Sequence, residues 1–185
     1  MTEVDLEKPA GITRIVYKKI VPGDLRKFQA TSNDSPTGGG ARDLRFSPFS
    51  RFGPVFRRLF SLNTDNGIYS GEFHSFEDGI EIIRPVHFYG PTSARPLEGR
   101  IANVDKCLPL HNIPPSSETV ILLIIQQDDG TVWPHFTTHS SLSSDDWDPR
   151  VANVILNCFV ADRRHGVSMV GFVDFETKEA YCNGK

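Results

Sequence analysis

The stretch TVILLIIQQDDGTVWPHFTT, residues 119–138, decides the fold class. Residues 119–126 are a β-branched and leucine-rich run that reads as a buried strand. Asp128-Asp129-Gly130 is a hairpin turn, and residues 131–138 return as the partner strand. Working outward, residues 68–76 and 80–89 read as a second strand pair joined around Asp78-Gly79. Pro85 bends the second of these strands or puts it at an edge. Residues 12–21 (ITRIVYKKIV) are partly alternating and read as a strand closed by a turn at Pro22-Gly23-Asp24. Residues 25–28 are a helical turn or the start of a strand. Leu44-Arg45-Phe46 and residues 100–104 read as short strands, and residues 167–175 as a final one. Val55, Phe56, Leu59 and Phe60 have helical spacing directly after Gly53-Pro54, which places the proline in the first turn. Asp148-Pro149 opens a second helix through about residue 162, with Val151, Val154, Ile155 and Phe159 on one face. Residues 140–148 read as a polar loop.

Many short strands with few helices define a mainly β, α+β chain. The expected architecture is an open β-barrel or pseudobarrel with two or three flanking helices. At 185 residues the chain is expected to form a single domain, with residues 12–136 as the core and 137–185 as a helix–strand extension. The N-terminus lacks a signal-peptide pattern, and the apolar run 120–125 is too short to span a bilayer, so no membrane partner is expected. Three cysteines, Cys107, Cys158 and Cys182, form no CxxC pair. A reduced, cytoplasmic setting is the simplest inference, with Cys158 as a core residue.

Charge is unevenly spread. Between residues 8 and 58 eleven Lys and Arg face three Asp, an excess of +8, so the rest of the chain carries −11 of the overall −3. That asymmetry suits a face that binds polyanions, and equally a solvated basic surface paired with acids from the other half of the chain; a basic face that docks an acidic protein is a further reading. Within the basic half lies Thr31-Ser32-Asn33-Asp34-Ser35-Pro36-Thr37-Gly38-Gly39-Gly40-Ala41-Arg42-Asp43. Its glycines offer exposed N–H groups and close approach, with a cation directly after them.

Asn33 to Gly40, followed by an extended stretch, a proline and a helix ending Leu59-Phe60, resembles the first DNA-contacting arm of the EcoRII-type restriction-enzyme effector domain. His87-Phe88-Tyr89-Gly90-Pro91-Thr92, then Arg95-x-x-Glu98-x-Arg100-Ile101, is similar to that family's second arm. The strand over residues 118–125 fits the one that follows. The resemblance spans residues 12–136. It implies a B3-like pseudobarrel that grips double-stranded DNA between two loops and serves as the recognition part of a restriction or defence system. It implies no cofactor and no catalytic residue in this region. The second arm departs from the family pattern by one extra residue and two prolines, and it lacks the usual lysine and tryptophan. Gly40 stands where a polar base-reading side chain is expected, which moves that role to Arg42.

Duplex binding needs cations at phosphate spacing and rigid donors at base edges. Arg42, Arg45, Arg95 and Arg100 are the candidates for base readout, since a guanidinium binds guanine bidentately. Glu98 suits a contact with cytosine N4, or holds Arg100 in position. Asn33, Ser35, Thr37, Thr92 and the N–H groups of Gly39 and Gly40 suit phosphate contacts. Lys18, Lys19, Lys27, Arg57 and Arg58 would add attraction that is independent of sequence.

Two other function classes stay open. Asp174-Phe175-Glu176-Thr177-Lys178 contains Glu-x-Lys at a strand end, which with Asp162 resembles the metal-binding end of a nuclease site. The alternative is a protein-interaction module, including one whose partner supplies catalysis. His135-x-x-x-His139 has metal-ligand spacing but lies in a strand, and surface histidines account for it better. No metal site is assigned.

Overall fold

The computed structural model describes residues 9–29, 42–63, 67–115, 117–144, 146–161 and 168–184. In chain order the elements are β1 (Ile12–Ile20), α1 (Pro22–Gln29), β2 (Leu44–Phe46), α2 (Phe49–Leu59), β3 (Leu62–Asn63), β4 (Ile68–Glu77), β5 (Ile80–Tyr89), β6 (Gly99–Ile101) and α3 (Val104–Cys107). They continue as β7 (Val120–Gln127), β8 (Val132–Thr138), α4 (His139–Leu142), α5 (Pro149–Ala161), β9 (Val170–Asp174) and β10 (Glu179–Cys182). The class is the expected α+β, rich in antiparallel strands. Among the described residues the strands do not close a barrel but form two open antiparallel sheets, each ending in edge strands. The chain divides into two compact units, Met1–Val21 with His111–Lys185, and Pro22–Leu110.

The first unit carries the sheet β10-β9-β1-β7-β8. β7 lies between β1 and β8, and its apolar run is buried almost throughout, so side chains on both faces of the strand are covered. The turn into β8 works as the sequence implied. Gly130 takes a positive φ of 87°, and the Asp129 carboxylate accepts from Thr131 N–H at 2.9 Å. Pro134 is accommodated because β8 is an edge. Ile15, Tyr17, Leu123 and Val173 pack with Val151, Ile155 and Cys158 of α5. That helix starts where expected. Asp148 caps it, its carboxylate accepting from Arg150 N–H at 2.9 Å, and Pro149 takes the first helical position. The loop expected over residues 140–148 contains the short helix α4, capped by Thr138 Oγ1, which accepts from Ser141 N–H at 3.3 Å.

Two cysteines of this unit are paired, contrary to the reduced reading. Cys158 and Cys182 form a disulfide with Cα atoms 5.8 Å apart across 24 residues of sequence. β10 pairs with β9, aligning Cys182 with Gly171, while α5 packs Cys158 inward. The contact is tertiary, so no local spacing signals it.

The second unit carries the sheet β2-β6-β5-β4-β3. β4 and β5 join through Asp78 and Gly79, both at positive φ, which is the two-residue turn that matches strand twist. β6 pairs with β5 only at Phe88 and Tyr89, so Pro85 falls on an unpaired stretch of edge. α2 is longer than its spacing implied, running through Gly53-Pro54 rather than starting there. A proline inside a helix costs about 3 kcal/mol. Burial of Phe52, Val55, Phe56 and Leu59 offsets it. Phe56 stacks on Phe88 with ring centroids 4.0 Å apart, and Phe46, Phe60 and Phe73 extend the aromatic cluster. α1 replaces the turn expected at residues 22–24, with Pro22 in its first turn and Asp24 paired to Lys27.

Candidate nucleic-acid interface

Strand alternation in the second unit separates a core face from an outer face. Leu44, Phe46, Phe88 and Ile101 are buried. The intervening residues form a row: Arg45 of β2 pairs with Arg100 of β6, which pairs with Tyr89 of β5. The Arg100 guanidinium lies over the Tyr89 ring at 5.5 Å from its centroid. Next along β5, His87 accepts or donates through Nδ1 to Ser70 Oγ at 2.8 Å.

The loop between β5 and β6 brings the second arm to this row. Backbone bonds from Thr92 N to Arg95 O and from Arg95 N to Thr92 O, at 3.2 and 2.9 Å, close it into a tight turn. Phe49 N–H donates to Leu97 O at 2.8 Å and fastens the loop to the start of α2. Thr92 is exposed. Arg95 reaches back to Glu98, with Nη1 3.5 Å from Oε2. The same Oε2 lies 3.7 Å from Arg45 Nε. The structure therefore puts Glu98 between Arg45 and Arg95, not against Arg100.

Arg100 has a different acid. Its Nε lies 3.2 Å from Asp43 Oδ2, at an angle that makes the contact an ion pair rather than a hydrogen bond. Arg42 Nη1 donates to Asp105 Oδ2 at 2.7 Å, and its carbonyl accepts from Val104 N–H at 3.0 Å. Two tiers result. Arg45 and Arg95 are the more exposed, at 37% and 41%, and share a long contact to a carboxylate itself 33% exposed. Arg42 and Arg100 are 26% and 30% exposed and hold the less exposed acids Asp105 and Asp43, at 21% and 12%.

Sequence reasoning brought together the four arginines and Glu98. It missed Asp43 and Asp105 as their partners, and Tyr89 as a platform. Tyr89 stands inside the arm motif, and its place directly after buried Phe88 on an alternating strand turns it to the outer face. The first arm's Asn33, Ser35, Thr37, Gly39 and Gly40 lie outside the described residues.

Some of the basic half is not available at a surface. Lys18 is 5% exposed and donates to Ser168 Oγ at 2.7 Å. Lys19 sits 5.8 Å from the Phe159 ring centroid, and Lys27 donates to Asp43 O at 3.1 Å. Burial corrects the expectation that Lys18 adds general attraction, while Lys19 and Lys27 are only half-buried. Arg57 is exposed on α2.

The Glu-x-Lys stretch lies in the first unit. Asp174 is fully buried and accepts from Arg14 Nε at 3.1 Å through Oδ2, and from the Glu176 and Thr177 N–H groups through Oδ1. Glu176 and Gln126 also bind the Arg14 guanidinium. Lys178 sits at positive φ in the β9–β10 turn, and Asp162 lies outside the described residues. Among the described residues no three His, Cys, Asp or Glu are grouped to hold a metal. His135 and His139 face separate aromatic partners, Trp147 and Phe159, at 5.4 and 5.3 Å. Cys107 is a buried free thiol, its pKa pushed up to about 12 chiefly by burial and further by the Asp105 charge. Among the described residues no helix is long and apolar enough to cross a membrane.

Comparison with protein-family models, with curated proteins and with solved structures finds no match for this chain.

Proposed function

We propose that this chain binds double-stranded DNA through its second unit, as the recognition component of a restriction or defence system. The observation that carries the reading is the pairing of Arg45 with Arg100 across β2 and β6, with Arg95 joined to Arg45 through Glu98 and Arg42 adjacent in sequence to Asp43, the acid of Arg100. Guanidiniums fixed by carboxylates are preorganised, so less side-chain entropy is lost when they meet phosphates or base edges. A flat aromatic ring beside Arg100 supports its orientation. The test is selection from a pool of random duplexes at low salt, followed by binding across a salt series. An enriched motif, with retention of the enriched duplex reduced in Arg45→Ala and Arg95→Ala, supports the reading. A pool that stays random, with no duplex retained at low salt, rejects it.

A second observation favours a protein partner, docked on apolar surface rather than on the basic residues. Beyond its pairing with β6, the β4–β5 hairpin carries Phe76, Ile80 and Ile83 more than half exposed. Phe76 and Ile83 share one face, among Glu72 and Glu81. Apolar surface in an acidic setting suits a protein rather than DNA. Co-purification of one protein that Phe76→Ser with Ile83→Ser abolishes, leaving duplex binding unchanged, supports a separate docking site. Co-purification that this double variant leaves unchanged rejects it.

A further inference from the structure

We propose that Glu98 occupies the place of a phosphate between Arg45 and Arg95, and that ligand binding exchanges the carboxylate for a phosphodiester. The inference deepens the duplex-binding reading and rests on it for the identity of the ligand. Both arginines address a single oxygen, Glu98 Oε2, from opposite elements: β2 on one side and the β5–β6 loop on the other. At 3.7 and 3.5 Å neither contact is a close hydrogen bond, so the carboxylate bridges the guanidiniums without satisfying them. All three side chains keep about a third or more of their surface in water, where ion pairs are weak and exchange readily.

The other tier behaves differently. Arg42–Asp105 is shorter and less exposed, and the Arg42 carbonyl is tied to α3. Asp43 is nearly withdrawn from solvent beside Arg100. Those two pairs hold the frame while Arg45 and Arg95 turn outward. The assignment changes the role given to these two residues: they clamp the backbone, and their contact is independent of base identity. Glu98 is then a positioning residue. It keeps two like charges at a separation that suits one phosphate, and it lowers affinity for any polyanion that fails to displace it.

The test uses the full chain and a random-sequence duplex, with affinity measured by fluorescence anisotropy over a salt series. Glu98→Gln is expected to bind about three- to fivefold more tightly, since one exposed competing charge is removed. The slope of log affinity against log salt should stay the same, because parent and variant contact the same phosphate once Glu98 is displaced. Arg45→Gln and Arg95→Gln should each weaken binding and flatten the slope by about one. A loss of local structure in Glu98→Gln would weaken binding, so the sign separates the two roles. Equal or weaker binding, or a slope steeper by about one, which would mean that the parent never makes the contact, overturns the proposal.

Inorganic pyrophosphate, followed through the Arg45 and Arg95 Nε–H resonances, provides the second readout. If neither parent nor variant binds duplex, yet pyrophosphate shifts both resonances and does so more tightly in Glu98→Gln, the DNA reading falls and the exchange stands. If pyrophosphate also leaves them unmoved, both fall.

Discussion

Replacing Asp174 by Asn separates a structural carboxylate from a catalytic one. The side chain is fully buried and its Oδ2 accepts from Arg14 Nε, whose own side chain is 6% exposed. Asn keeps the size, and its Oδ1 still accepts from the Glu176 and Thr177 N–H groups. What is lost is the charge, and the new amide sets a donor against the Arg14 Nε donor. Removing one member of a buried pair costs about 3–5 kcal/mol, mostly because the remaining charge stays uncompensated. Glu176 still reaches Arg14, but it is 57% exposed and therefore well screened. The cost should lie near the lower end, about 3 kcal/mol. For a chain of this size that lowers the melting temperature by about 6–12 °C. The assay is thermal and urea unfolding of parent and Asp174→Asn, with urea slopes compared to verify that the same surface unfolds. The double variant Arg14→Met with Asp174→Asn should recover part of the loss, because no buried charge is left unpaired. A melting point within about 1 °C of the parent, well inside the shift expected for 1 kcal/mol, would refute the structural role. Magnesium-dependent cleavage lost in a variant of unchanged stability would restore the nuclease reading.

Three further outcomes follow from packing, capping and cross-linking. Gly71→Ala would put a Cβ 2.5 Å from Phe60 Cδ1, so overpacking should cost about 1–3 kcal/mol and lower the urea midpoint. Asp148→Ala removes the α5 cap and should cost about 1 kcal/mol at neutral pH. Its hydrogen bond and pairing with Arg150 hold the Asp148 carboxyl below its ordinary value of 3.8. A lowered folded pKa stabilises above that ordinary value and loses its effect as pH falls through the folded one. The difference between parent and Asp148→Ala should therefore shrink below about pH 4, as read from urea midpoints against pH. Cys182→Ser opens a link across 24 residues. It should cost about 3.5 kcal/mol in the chain-entropy account, measured under non-reducing conditions. Equal melting points for Cys182→Ser and oxidised parent would contradict that account.

The local devices were legible because each rests on neighbours in sequence. Asp78-Gly79 and Asp128-Asp129-Gly130 turn the chain wherever they stand between apolar runs, and the strands on either side pair as expected. Asp148-Pro149 caps and starts α5 by the same local chemistry. α2 was misjudged because Gly53-Pro54 argues against a helix locally, while the aromatic cluster that overrides it is assembled from β2, β4 and β5. The site was half legible. Arg95, Glu98 and Arg100 stand close in one motif, but nothing local matches Arg100 to Asp43 or Arg42 to Asp105.

By itself the sequence determined an α+β chain rich in antiparallel hairpins, and gathered the arginines into a candidate set, since turn chemistry, apolar runs and charge are properties of adjacent residues. Tertiary structure alone decided that the strands form two open sheets, with β1 between β7 and β9. It also decided which acid each arginine meets, that Lys18 and Asp174 are interior, and that Cys158 reaches Cys182. The physical reason is the same each time. These contacts join residues far apart in the chain, and their partners are chosen by the packing of whole elements rather than by any neighbour in sequence.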